Sequence, residues 1–142
     1  MIKNERQYRI TSAQAQKLRR ALTLLARSPD KGKVHPVLRK AQADALRSQL
    51  ADLRGEIRQY ESLRSGKKKT LQLDSLDDLP RALIEARIAA GLSQKDLADR
   101  LGLKEQQIQR YESTNYGSAS LARVQQIAHV LGLRVQADAF VA

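Results

Sequence analysis

Apolar residues recur at helical spacing along most of this chain. Ala15, Leu18, Leu22 and Leu25 fall at intervals of three and four, which is one face of a helix. They predict a helix from about Ser12 to Arg27. Thr11 followed by Gln14 has the spacing of a capping box, in which each side chain satisfies a backbone donor of the other residue. The run Ser28-Pro29-Asp30-Lys31-Gly32 then breaks the pattern. Ala43, Leu46, Leu50, Leu53, Ile57 and Tyr60 carry the same rhythm through a second, longer helix from about Pro36 to Arg64. Pro36 sits in the first turn, where a missing N–H costs least. The seam is short for a coiled coil, so the two stripes read as an antiparallel hairpin whose apolar faces meet. Two helices alone bury little. A third surface is therefore expected, and a partner subunit would supply it.

Ser65-Gly66-Lys67-Lys68-Lys69 ends the second helix and reads as a basic connector. The alternation in Thr70-Leu71-Gln72-Leu73-Asp74 predicts a short strand. Alternation returns at the C-terminus, with Leu133, Val135, Ala137, Ala139 and Val141 on one side of a second short strand. The two would pair with each other or with copies in a second subunit. A lone pair of strands is weakly stable, so packing or dimerisation would have to support it.

Between these runs lies the most informative stretch, Leu92-Ser93-Gln94-Lys95-Asp96-Leu97-Ala98-Asp99-Arg100-Leu101-Gly102-Leu103-Lys104-Glu105-Gln106-Gln107-Ile108-Gln109-Arg110-Tyr111-Glu112. Ser93 caps a helix start with its hydroxyl. Leu97, Ala98 and Leu101 form an apolar face, and the small Ala98 lets a following helix cross closely. Gly102 is free to take positive φ at the helix end. Leu103 plugs the turn, and Ile108 and Tyr111 return to the same core. The sequence therefore predicts two short helices joined by a tight turn, a geometry that presents the second helix to a DNA groove.

The segment from Leu79 to Leu133 resembles the Cro/C1-type (XRE family) helix-turn-helix domain of phage repressors and bacterial regulators. The resemblance rests on "LSQKDLADRLGLKEQQIQRYE", on "ARIAAGLSQ" before it, and on the helix from Ser120 to Leu131 ending in "LGL". It covers about 55 of the 142 residues. With the hairpin and the alternating runs read from the pattern, the expected fold is mainly α: an N-terminal helical hairpin, then the C-terminal lambda-repressor-like helix-turn-helix domain that the resemblance implies, flanked by one or two short β-strands. The corresponding divisions are 1–66 for the hairpin, 67–74 for the basic linker and strand, 75–133 for the DNA-binding domain and 134–142 for the C-terminal strand or tail.

The resemblance also implies roles for particular residues. Gln94 occupies a phosphate-contacting position at a helix N-terminus, where backbone N–H groups favour anions, and Lys95 adjoins it. Lys104, Glu105, Gln106 and Gln107 begin the recognition helix and face base edges. Gln106 suits adenine and Glu105 suits the amino group of cytosine. Gln109 and Arg110 lie one turn later, and Arg110 reaches a guanine or a phosphate. Asn115, Tyr116 and Ser118 follow the helix as phosphate contacts. Two positions depart from the family's pattern. Lys104 stands where a serine or threonine cap is common, and Glu105 brings a negative charge to the DNA face.

Composition changes this picture in one respect. The chain carries a net charge of +11, which favours a polyanionic partner. Residues 1–70 hold 18 Lys/Arg against 6 Asp/Glu, a net of +12, whereas residues 71–142 hold 8 against 9, a net of −1. The half expected to read bases is thus almost neutral and should bind DNA poorly as a single copy. Steep salt dependence is expected if the basic half joins in.

Other chemistry is poorly represented. There is no cysteine, so no disulfide or thiolate metal site is expected, in keeping with a cytoplasmic location. His35 and His129 lie in unrelated contexts without ligand spacing. Asp77 and Asp78 fit a helix start better than acid–base catalysis. No phosphate loop, nucleophile elbow, signal peptide or membrane span is legible. The expectation is a cofactor-free, non-enzymatic regulator, most simply a homodimeric repressor on a palindromic double-stranded operator. An alternative, implied by analogy with small proteins of the family, is an antitoxin that binds a cognate toxin through residues 1–70 and represses its own operon. A scaffold, RNA-binding or membrane-surface role for the hairpin is weaker, because Tyr60 is the one aromatic on its long helix.

Overall fold

The computed structural model describes residues 1–27 and 34–142. The chain break expected at Ser28 to Gly32 lies outside the described residues. Among them are six α-helices: α1 (Glu5–Arg27), α2 (Pro36–Arg64), α3 (Leu79–Ala89), α4 (Gln94–Leu101), α5 (Glu105–Ser113) and α6 (Leu121–Val130), with a 3₁₀ turn at Leu76–Asp78 before α3. The chain divides into two compact units, Met1–Glu61 and Ser62–Ala142. No helix among the described residues is long and apolar enough to cross a membrane.

In the first unit, α1 and α2 run antiparallel. Tyr8 near the start of α1 stacks on Tyr60 near the end of α2, with ring centroids 5.2 Å apart. The Tyr8 hydroxyl donates to Glu61 at 2.5 Å. At the opposite end, the Arg39 guanidinium donates to the Leu25 carbonyl. The expected α1 start at Ser12 is about two turns late. Asn4 caps the helix instead, its side chain accepting from the Gln7 amide at 2.9 Å, while the Gln7 side chain accepts from the Lys3 amide at 2.8 Å. This earlier Asn–Gln pair has the same spacing as Thr11–Gln14, and the intervening residues extend the helix without a break. Burial along the hairpin is shallow: Ile2, Ala15, Leu50 and Tyr60 are buried, but Leu18, Leu22, Leu25, Ala43, Leu46, Leu53 and Ile57 are only partly covered.

In the second unit, Ala82, Leu83, Ile84 and Ile88 of α3 pack into one core with Leu97 and Ala98 of α4, Ile108 and Tyr111 of α5 and Ile127 of α6. Burying each of the larger aliphatic side chains completely is worth about 1.5–3 kcal/mol. Three starts in this unit are capped by serine side chains: Ser75 before the 3₁₀ turn, Ser93 before α4 and Ser120 before α6.

The helix ends follow one device. The Leu92, Leu103 and Leu133 amides reach back to the Arg87, Ala98 and Ala128 carbonyls at 3.1, 2.9 and 2.9 Å, each just after a left-handed glycine. A Gly-Leu pair therefore closes α3, α4 and α6, satisfying carbonyls that the helix leaves open.

The expected flanking strands are absent: no strand forms among the described residues. Strand pairing needs a neighbouring backbone to complete its ladder. Neither 70–74 nor 134–142 makes a backbone–backbone hydrogen bond to another described residue. Leu133, placed at the start of the second alternating run, instead closes α6. The Asp74 amide is bonded to the Asp78 carboxylate at 2.8 Å, which serves the turn before α3. Phe140 and Val141 are fully open to solvent.

Candidate nucleic-acid interface

The geometry of the site begins at Ser93. Its hydroxyl accepts from the Asp96 amide at 3.0 Å, and the Asp96 carboxylate accepts from the Ser93 amide at 2.9 Å, so α4 opens with a closed capping box. Hydrogen bonding from Ser93, through its hydroxyl first and its backbone N–H second, holds the Asp96 carboxyl below its ordinary range. Gly102 ends α4 with φ of 68°. In that conformation an L side chain would be crowded by its own backbone. Leu103 and Lys104 then carry the chain into α5. No side chain caps α5 at Lys104, as its sequence departs from the usual serine or threonine.

On α5 the two faces separate cleanly. Ile108, Tyr111 and Glu112 are buried, whereas Gln106, Gln109, Arg110 and Ser113 are exposed. The spacing of the exposed set places all four on one stripe. Glu105 is exposed next to it and accepts from the Gln109 amide group at 3.3 Å. Lys104 is exposed and Gln107 is half-buried. Lys95 is exposed on α4, where it pairs with Asp99 at 2.9 Å. The Asp99 carboxylate, with smaller contributions from Glu105 and Asp96, pushes the Lys95 ammonium above its ordinary range.

The buried side of α5 is fixed by charge. Arg87 on α3 donates to the Glu112 carboxylate from Nε at 2.5 Å and from a terminal nitrogen at 3.0 Å. Gln94 on α4 donates to the same carboxylate at 2.7 Å, and Arg87 also donates to the Leu92 carbonyl at 2.8 Å. All three side chains are buried. An ion pair removed from water is tolerated when its polar atoms find partners, and here one carboxylate ties three helices together. Gln94, expected at a phosphate, is buried and turns its amide nitrogen inward to Glu112. The Arg87–Glu112 pair was not anticipated, since neither residue breaks a pattern on its own. The one available signal was a charge at each of two positions on otherwise core-facing stretches.

Beyond α5, the chain turns through two residues at positive φ, Asn115 at 49° and Tyr116 at 58°. The Tyr116 amide donates to the Tyr111 carbonyl at 2.7 Å. Its ring is buried and stacks on Tyr111 with centroids 5.8 Å apart. The Tyr116 side chain is thus part of the core, while Asn115 and Ser118 are exposed.

This arrangement matches a known pattern. The family model described as helix-turn-helix matches residues 83–137. The match supports an XRE-type helix-turn-helix regulator. No curated protein and no solved structure gives a significant match to the chain. The matched segment begins within α3, at Leu83, and runs through α6 to Ala137. Its family supports a DNA-binding transcription regulator. Within it, α4 and α5 are the two helices joined by the Gly102 turn, and α5 carries the exposed polar stripe.

Proposed function

We propose that the protein is a sequence-specific repressor that binds a palindromic operator as a homodimer, with α5 in the major groove. The observation that carries this reading is the exposed stripe Gln106, Gln109 and Arg110 on a helix whose other face is anchored by Glu112. Glutamine and arginine are the side chains best suited to adenine and guanine edges. Lys95 on α4, Lys104, Glu105 and Gln107 at the start of α5, and Asn115 and Ser118 after it complete the proposed contact set. Tyr116, and Gln94 beneath the surface, hold the backbone that presents it. The stretch 71–142 has a net charge of −1, so phosphate attraction by one head is weak and two heads on two half-sites raise the affinity. The half-sites lie about one helical turn apart. The protein acts where its DNA is, in the cytoplasm.

The test is selection of bound fragments from random duplexes at stated salt, followed by footprinting. A two-fold symmetric consensus protected on both half-sites is expected. Protection of a single half-site by a protein that is monomeric at working concentration refutes the dimer. Binding without any sequence preference refutes the base-reading role of α5.

A second reading is favoured by the division of the chain. Residues 1–61 form a compact unit outside the matched helix-turn-helix segment. A unit not needed for base reading suits an antitoxin that holds a cognate toxin there and represses the shared operon. Co-purification with the product of an adjacent gene supports it, and unchanged repression and host viability without residues 1–61 opposes it.

A further inference from the structure

At the end of the hairpin away from Tyr8 and Tyr60, a groove of about 330 Å³ lies between α1 and α2. Leu22 and Leu25 of α1 and Ala43 of α2 form its apolar floor, and Arg39, Lys40 and Arg47 of α2 line it with positive charge. Among the described residues, no carboxylate lines it. The floor residues are only partly covered by the chain's own packing. The charge is equally one-sided along the sequence. Residues 17–47 contain nine Lys/Arg and two Asp/Glu, and one of those two, Asp44, is paired with Arg47 at 3.1 Å. The remainder of residues 1–64 is far closer to balance, with six Lys/Arg and four Asp/Glu.

From this we infer that the groove docks an acidic amphipathic helix of a different protein, its apolar stripe on Leu22, Leu25 and Ala43 and its carboxylates against Lys40 and Arg47. Charge favours neither half of a second copy: residues 71–142, at net −1, carry no marked acidic excess to match the groove. An identical hairpin packed there brings either the same net +7 segment or the other part of the hairpin, which is itself net +2, against the groove. Like charges juxtaposed in an interface select against that pairing. The apolar floor decides against nucleic acid, because phosphates make no use of it. An anionic membrane is disfavoured because residues 17–47 contain no aromatic side chain to seat in an interface. Helix-in-groove recognition uses apolar anchors at helical spacing with charges at the rim, which is what this groove offers. The inference concerns the hairpin and is independent of base reading by α5.

The probe is a labelled synthetic helix about five turns long, with leucine on one face and glutamate on the other, titrated into the full chain by fluorescence anisotropy. Saturable one-to-one binding is expected. It should weaken by about tenfold or more in the Lys40→Glu, Arg47→Glu double variant, and disappear when the peptide's leucines become serine or its glutamates become lysine. Both substituted side chains are exposed, so circular dichroism should be unchanged and the melting temperature should fall only slightly, through loss of the surface Arg47–Asp44 pair. Those measurements distinguish lost docking from lost folding. Three results overturn the inference: no binding of the acidic helix, binding indifferent to the double variant, or self-association of the chain that the double variant abolishes. Phosphatidylglycerol vesicles or a random duplex that displace the peptide and depend on Lys40 and Arg47 would assign the groove to those ligands instead.

Discussion

Arg87 and Glu112 form a two-point ion pair, at 2.5 and 3.0 Å, with 2 % and 0 % of each residue exposed. The pair links α3 to α5, and Gln94 adds α4 through the same carboxylate. Removing one charge strands the other away from water. Glu112→Leu is therefore expected to cost about 3–5 kcal/mol, because Arg87 would stay buried without its counter-ion. Adding Arg87→Met should recover much of that loss, since a packed apolar pair avoids the desolvation penalty. Urea denaturation of the two variants measures both numbers. A loss of under about 1 kcal/mol in the single variant would mean that Arg87 can reach solvent.

Tyr116 offers the opposite case, a buried polar atom without a partner. Its hydroxyl finds no hydrogen bond among the described residues. Burial, followed by the nearby Glu112 charge, pushes the phenol well above its ordinary range. A buried group of this kind left unsatisfied costs about 1–3 kcal/mol. Tyr116→Phe keeps the ring and its stacking on Tyr111 while deleting that oxygen, so stability should hold or rise. Tyr116→Ala removes the packing and should cost about 3–5 kcal/mol. Thermal melts decide: a clear loss in the phenylalanine variant would reveal a partner for the hydroxyl.

Most of the architecture was legible because it follows from period and punctuation. The seam from Ala43 to Tyr60 marks α2 as a helix, Pro36 and the Ser65-Gly66 break set its bounds, and Ser93 with Gly102 frames α4. The start of α1 was misplaced because Thr11–Gln14 and Asn4–Gln7 share one spacing, and the sequence does not say which cap forms. The strands were misjudged because alternation describes what a segment would bury if paired, while pairing depends on a neighbour the local sequence does not specify. At the site, exposure along α5 follows from the apolar positions Ile108 and Tyr111. The inward turn of Gln94 does not, because it depends on Glu112, eighteen residues away.

Two glycines separate backbone strain from crowding. A Cβ at Gly102 would meet no neighbour within 4 Å, yet φ is +68°. A Cβ at Gly55, inside α2, also meets nothing within 4 Å, and that residue is helical. Gly102→Ala should therefore cost about 1–2 kcal/mol through the left-handed backbone alone. Gly55→Ala should add about 0.5–1 kcal/mol, because alanine gives up less chain entropy in a helix. Melting temperatures should move in opposite directions. A fall in both would mean that Gly55 is needed for a close approach not made within this chain.

Acid should loosen the start of α4. The Asp96 carboxyl is held below its ordinary value of 3.8, so the folded state favours the ionised form. Its stabilising contribution is complete above that ordinary value and is lost as pH falls through the lower folded value. Asp78 is lowered as well, chiefly by the backbone N–H of Asp74, and contributes in the same direction. Asp96→Asn cannot take part in this titration. The drop in melting temperature from about pH 5 to about pH 3 should be smaller in the variant than in the parent. Equal drops in both would show that the capping box carries no acid sensitivity.

Gln106 and Gln94 test whether recognition and support are separate on this scaffold. Gln106 is exposed on the α5 stripe, and its removal takes nothing from the core. Gln106→Ala should weaken operator binding by about 1–3 kcal/mol and relax preference at one base pair, with the melting temperature unchanged. Gln94 is buried and donates to Glu112 at 2.7 Å. Gln94→Ala leaves that carboxylate one donor short, so stability should fall by about 1–3 kcal/mol. Operator affinity should fall too, through a less firmly held α5, while the order of preferred bases stays the same. The measurements are a binding panel across single-base operator variants and a melt for each protein. A changed base order in the Gln94 variant would place its side chain at the DNA, and an unchanged one in the Gln106 variant would move base reading elsewhere on α5.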